Sequence, residues 1–250
     1  MNKIYVCACA SRSFIRKADV VRVATAFAAN GYDVELVADL CEMSADKDAR
    51  GAELQGCTVV ACHERAVRSL LDRLDVQAAQ VWNLRELGGD ALCQQALGSQ
   101  GQVALTQDWV NGPCPCDPET ISRIQAEMQR ALDAMPVKNG TDAWNPTLDK
   151  QRCIECKKCL EFCPFGVYEL VDGKVTVVNP HNCKNNCPAC ARHCPTKAVI
   201  FPKYAESPIN GGLEDDDKAI QLDTKELYSA TLRERLKARR ESVSLLKKEK

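Results

Sequence analysis

From residue 1 to about 135, short apolar runs alternate with amphipathic stretches. IYVCA (4–8), DVELVAD (33–39) and CTVVAC (57–62) are rich in β-branched residues and short enough to be strands, and QVWNLRE (80–86) opens with another. Between them, ADVVRVATAFAANGY (18–32) and ERAVRSLLDRL (64–74) repeat apolar residues every three or four positions, which predicts helices, the first closed by Gly31. GGDALCQQALG (88–98) continues the helical pattern, with Cys93 on its packed side. DPETISRIQAEMQRALDAM (117–135) has a good N-cap in Asp117, Pro118 in the first turn, and Ile121, Ile124, Met128 and Leu132 on one face. Strands alternating with helices predict a parallel sheet flanked by helices, so residues 1–135 are expected to form an α/β domain.

The pattern changes after that. PVKNGTDAWNP (136–146) is rich in turn residues and marks a linker, residues 136–148, expected to let the next module dock or hinge. Within residues 149–204, FGVYELVDGKVTVV reads as two strands joined at Asp172-Gly173, a hairpin turn. This module is expected to be α+β. Residues 205–250 open with the acidic connector ESPINGGLEDDD and close with a helix-prone, basic tail. Its apolar stripe is weak, with Leu232, Leu236 and Val243 its clearest members. A solvated charged helix and an arm that docks on a partner are both open there.

Composition narrows the function. Hydrophobic residues make up 45% and charged residues 27% of the 250, enough for a packed core. A formal net charge of −1 argues against nucleic-acid binding by bulk charge. No apolar run reaches the length of a membrane span, and the start MNKIYVCACASRSFIRK lacks the apolar core of a signal peptide, so a cytoplasmic protein is expected. In a reducing compartment sixteen cysteines point to metal ligation rather than disulfides. Buried thiols would account for a few, not for the eight between residues 153 and 194.

Those eight carry the strongest signal. CIECKKCLEFCP reads Cys153-x2-Cys156-x2-Cys159-x3-Cys163-Pro164, the run of bacterial [4Fe–4S] proteins. CKNNCPACARHCP repeats it, with one extra residue in the first gap, as Cys183, Cys187, Cys190 and Cys194-Pro195. Three closely spaced thiolates can wrap three corners of a cubane, while the fourth is aimed elsewhere. Zinc is the alternative for paired CxxC thiolates. The arrangement resembles the two-cluster bacterial ferredoxins over about fifty residues. That resemblance implies crossed ligation, Cys153, Cys156, Cys159 and Cys194 holding cluster 1 and Cys183, Cys187, Cys190 and Cys163 holding cluster 2. It also implies a pseudo-two-fold fold, echoed in CPFGVYEL against CPTKAVIF, and one-electron transfer with no acid–base residue.

In a parallel α/β sheet, ligands gather at the carboxyl edge of the strands. Cys7 and Cys9 end the first strand, on one side of it if the strand runs that far. Cys41 follows the second and Cys62 ends the third, whereas Cys57 opens the third strand and falls at the far edge. The order VCAC, Cys41, VVACHE, VWNLRE resembles the amino-terminal domain of the flavin-binding subunit of heterodisulfide reductase. That resemblance implies a third [4Fe–4S] cluster on Cys7, Cys9, Cys41 and Cys62; reduced thiols or zinc are the other occupancies. The family has Ser-Pro where this chain has His63-Glu64, and it continues into a flavin domain. No G-x-G-x-x-G occurs here, so no flavin is expected.

His63 is read as an outer-shell or surface group, and His181 and His193 as exposed. Cys114 and Cys116, in a Pro-rich loop before a helix, are either unremarkable thiols or a redox pair. The expected function is a non-catalytic iron–sulfur carrier that passes electrons between redox proteins, as a subunit or partner of a larger oxidoreductase. The alternatives are a redox-sensing regulatory or scaffold subunit, or a thiol/disulfide oxidoreductase using Cys114 and Cys116.

Overall fold

The computed structural model describes residues 3–12, 14–98, 117–135 and 143–213. The expectations for Cys114 and Cys116, for most of the linker and for the tail beyond 213 lie outside them. Four parallel strands, β1 (Lys3–Cys7), β2 (Asp33–Val37), β3 (Thr58–Ala61) and β4 (Gln80–Asn83), form a sheet in the order β2-β1-β3-β4. Val6 of the central strand pairs with Leu36 on one side and Val60 on the other. Strand alternation splits the core. Ile4 and Val6 pack with Val20, Val23 and Phe27 of α1 (Lys17–Ala29), with Leu84 and Leu92 of α4 (Leu84–Leu97), and with Leu132 of α5 (Pro118–Asp133). Tyr5 and Cys7 pack on the other face with Leu40 of α2 (Leu40–Asp46) and with Val67, Leu70 and Leu71 of α3 (Glu64–Arg73).

The strands and longer helices follow the hydrophobic pattern. Asp117 caps α5 by accepting from the Thr120 N–H at 2.8 Å. The helix α2 and a 3-10 turn at Ala49–Leu54 do not stand out in the pattern, because each is too short for an apolar period to show. Strand β1 stops at Cys7, and Cys9 takes a left-handed backbone with φ 50°. The simple alternation that would put both thiols on one side therefore ends between them, and the turn brings Cys9 back to the same edge.

The second half builds two small antiparallel pairs, β5 (Thr147–Leu148) with β8 (Val199–Ile200) and β6 (Tyr168–Val171) with β7 (Lys174–Val177). Asp172 and Gly173 both have positive φ, 51° and 77°, as a two-residue hairpin turn of this hand requires. Two short helices, α6 (Lys158–Phe162) and α7 (Ala189–His193), lie within the first and second cysteine runs and end just before Cys163 and Cys194. Phe201 is fully buried and stacks on Trp144, ring centroids 5.2 Å apart.

The described residues up to Leu213 form one compact unit, in which the second half docks on the first. Arg65 of α3 pairs with Asp149 at 3.0 Å and donates to the Lys197 carbonyl at 2.8 Å. Thr147 donates to the Ser69 carbonyl at 2.8 Å, and Arg73 reaches Asn145 at 3.0 Å. Polar chemistry makes this contact, which is why no apolar stripe announces it.

Nor is the connector after residue 204 wholly extended. Residues 205–213 fold back onto α3, and Gly211, at φ 94°, lies so close that a Cβ there would stand 2.8 Å from the Ala66 Cβ. Gly31 also has positive φ, 81°, but open space around it. Gly31→Ala should therefore cost about 1–2 kcal/mol for the left-handed backbone alone. Gly211→Ala should add about 1–3 kcal/mol of overpacking to that. Urea midpoints measured on the two variants check the difference. Among the described residues, no helix is long and apolar enough to cross a membrane.

Candidate iron–sulfur centres

Cys153, Cys156, Cys159 and Cys194 line one cavity, with Leu148, Val175 and Val199 behind them. Cys194 lies in the second run, yet it joins the three close cysteines of the first. The mechanism is local: Cys194 ends α7, and the Ala198 N–H before β8 donates to its sulfur at 3.2 Å. Burial raises the Cys153 pKa, and Cys194 is close enough to raise it further. Burial likewise pushes the Cys159 thiol up to about 12, with Cys190, Cys194 and Cys153 contributing.

The other four group in the complementary way. Burial pushes Cys183 up to about 12, helped by Cys190, Cys163 and Cys187. Cys190 is pushed by burial to about 11, against a hydrogen bond from the Tyr168 hydroxyl at 3.1 Å, and it too feels Cys163 and Cys187. Cys163 of the first run is thus beside the close cysteines of the second. Burial that disfavours the thiolates of Cys153, Cys159, Cys183 and Cys190 fits sites meant to be neutralised by metal, because ligation requires the thiolate and the cation compensates it.

In the α/β half, Cys7, Cys9, Cys41 and Cys62 likewise line one cavity. Phe14, Ile15, Leu40 and Leu70 enclose it, and Lys203 and Arg85 stand against it. Cys41 sits in the first turn of α2 rather than on a strand, where Asp39 caps the helix by accepting from the Cys41 N–H at 3.0 Å. Burial raises Cys7 and Cys41 well above the ordinary thiol value and takes Cys62 to about 11. Cys57 does fall away from this edge, its sulfur turned to the Glu53 carbonyl at 3.3 Å.

Among the described residues, no group of three or more Cys, His, Asp or Glu side chains converges tightly enough to hold a single metal ion. A lone zinc would draw its thiolates to about 3.8 Å from one another, given Zn–S bonds of about 2.3 Å. A cubane sets its four thiolates farther apart, since four irons and four sulfides occupy the middle, so a looser four-cysteine set suits a cubane better than a lone zinc.

His63 is buried rather than at the surface, its Nδ1 3.1 Å from the Asn83 amide, and burial lowers its pKa. His181 is exposed and pairs with Asp46 at 2.7 Å, and His193 is exposed. Cys93 is buried in α4. The cations around the N-terminal cavity carry no sequence signal. Lys203 is one basic residue among many in the chain, and no local pattern marks it.

Residues 128–198 match the family of 4Fe-4S dicluster domains. Over 61 residues the chain is 48% identical to an uncharacterized ferredoxin of Methanocaldococcus jannaschii, covering 24% of this chain and 42% of that one. It is 40% identical over 65 residues to the pyruvate synthase subunit PorD of Methanothermobacter marburgensis, 25% of this chain and 74% of that one. It is 33% identical over 92 residues to Ferredoxin-3 of Nostoc sp., 28% of this chain and 89% of that one. The chain thus spans less than half the length of the first of these and most of the other two. The family match spans both cysteine runs, and with the ferredoxin relatives it supports two [4Fe–4S] clusters. The chain belongs to the 4Fe-4S dicluster ferredoxin family.

Proposed function

We propose that this protein is an iron–sulfur electron carrier with two clusters in the dicluster half and a third in the α/β half, working as a subunit or partner of a larger oxidoreductase. The observation that carries the proposal is a pair of cavities, one in each half, each lined by four cysteines from sequence-distant positions. Cys153, Cys156, Cys159 and Cys194 would hold the first cluster, Cys183, Cys187, Cys190 and Cys163 the second, and Cys7, Cys9, Cys41 and Cys62 the third. Such groups supply one-electron transfer when bound.

The chain's own part is to bind, bury and tune. The Tyr168 hydroxyl donates to Cys190, the Ala198 N–H to Cys194 and the Leu40 N–H to Cys7 at 3.4 Å; hydrogen bonds of this kind stabilise the sulfur's negative charge. Apolar walls exclude water. The exposed side chains Ile154, Phe162 and Phe165 lie in and beside the first cysteine run, and a partner's apolar surface could cover them. One relative is named as a subunit of pyruvate synthase, which supports a place within a multi-subunit oxidoreductase. The motif order shared with the flavin-binding subunit of heterodisulfide reductase supports the third site.

Iron and sulfide analysis of anaerobically purified protein tests this. Three cubanes give about twelve irons per chain, and Cys62→Ala should lower the count to about eight while sparing the dicluster signals. A wild-type count of about eight would remove the third cluster from the proposal and leave the other two.

A further inference from the structure

The N-terminal cavity holds a charge that the cysteine pattern does not explain. Lys203 belongs to the segment that leaves β8, at the end of the dicluster half, and it crosses to the carboxyl edge of the parallel sheet. There it is only 3% exposed. Its Nζ donates to Cys9 Sγ at 3.0 Å and to Asp39 Oδ2 at 2.6 Å.

Asp39 accounts for Lys203 only in part. That carboxylate already accepts from the Cys41 N–H at 3.0 Å, the Glu42 N–H at 3.4 Å, the Ser11 N–H at 3.3 Å and the Ser11 hydroxyl. Lys203 and Asp39 form a buried ion pair, and removing both charges from water costs several kcal/mol each, which their one pairing offsets only in part. The remaining neighbours are the cysteines. As thiols they offer little, whereas as thiolates around a cubane they carry the negative charge that a buried ammonium needs.

Arg85 has a different task. Its guanidinium donates to the carbonyls of Pro202, Tyr204 and Ala205 at 2.9, 2.7 and 3.0 Å and lies over the Phe14 ring at 4.2 Å. It therefore grips the backbone on both sides of Lys203.

We infer that Lys203 is the positioning and potential-setting residue of the N-terminal four-cysteine site: its ammonium fixes the Cys9 sulfur and offsets the negative charge that the site gains with one electron, while Arg85 holds the segment that delivers it. The inference rests on the proposal that this site takes a cluster, and it deepens that proposal, since the α/β half is incomplete without residues contributed from beyond β8. The electron comes from an external one-electron reductant, dithionite in the assay. No bond is made or broken in the protein and no proton is transferred.

The test uses the full chain, purified anaerobically with its clusters, as wild type, Lys203→Met and Lys203→Arg. Iron is counted, and each cluster's potential is followed by electron paramagnetic resonance during a redox titration. With about twelve irons in all three proteins, Lys203→Met should lower the reduced-to-oxidised ratio of one cluster at fixed poise at least tenfold, a fall of about 59 mV for one electron. The other two should not move, and Lys203→Arg should stay near wild type. Twelve irons with three unmoved potentials in Lys203→Met overturns the inference. If Lys203→Met binds only about eight irons, recovery of the count in Lys203→Arg supports it and loss in both variants overturns it. A wild-type count of about eight overturns the site and the role of Lys203 together, and so is distinct from a failure of Lys203 alone.

Discussion

A Cys183→Ala, Cys194→Ala double variant should lose both dicluster centres, although its two changes fall in one cysteine run. The expected iron count drops from about twelve to about four per chain, the remainder belonging to the α/β half. If each run wrapped its own cubane, the same variant would lose one centre and keep about eight irons. A Cys153→Ala, Cys194→Ala pair should do the reverse, losing one centre and keeping about eight, because those two cysteines would share a cluster. Non-additivity of this kind marks residues acting on one site, and additivity marks separate sites. The expectation rests on Cys194 entering the cavity of Cys153, Cys156 and Cys159, and on Cys163 standing beside Cys183 and Cys190. Iron and acid-labile sulfide counts on the two variants are sufficient to decide it.

The second large effect is on stability. Arg65→Met should destabilise the compact unit by about 3 kcal/mol, the low end of the 3–5 kcal/mol typical of stranding one partner of a buried ion pair. The side chains of Arg65 and Asp149 are 14% and 12% exposed. The lower figure applies because Asp149 keeps other donors, the Gln151 and Arg152 N–H groups at 3.1 and 3.3 Å. Arg65 also gives up its bonds to the Lys197 and Gly212 carbonyls, so the contact between α3 and residues 197–212 loosens with it. An Arg65→Met, Asp149→Asn variant should recover much of the loss, since no carboxylate is then left buried with only the more distant Arg152 guanidinium, at 3.8 Å, beside it. Urea midpoints of the cluster-loaded proteins, followed under anaerobic conditions, measure both. An unchanged midpoint in Arg65→Met would show that the pair contributes nothing.

Much of this molecule is legible in its residues. Apolar runs of strand length separated by helical periods specify a parallel sheet, since such runs can be buried on both faces only there. The Cys-x2-Cys-x2-Cys-x3-Cys-Pro spacing specifies cluster chemistry, since ligands so close in the chain must meet on one centre. Because parallel strands all end at one edge, the residue order alone groups Cys7, Cys41 and Cys62 and sets Cys57 apart.

What stays hidden depends on contacts between segments far apart in the chain. The left-handed turn at Cys9 leaves no trace in a hydrophobic pattern, and α2 is shorter than the period needed to detect it. The turn-rich linker leaves docking and hinging both open, and the docking runs through Arg65, Arg73 and Arg85, whose charges look like ordinary surface charge along the chain. Lys203 is the extreme case, 164 residues from Asp39 and 194 from Cys9. Local sequence sets propensity, period and ligand spacing, because those act over a few residues. Which cation enters which cavity is settled by the packing of the whole chain, where burial gives a charge with no local signature its electrostatic weight.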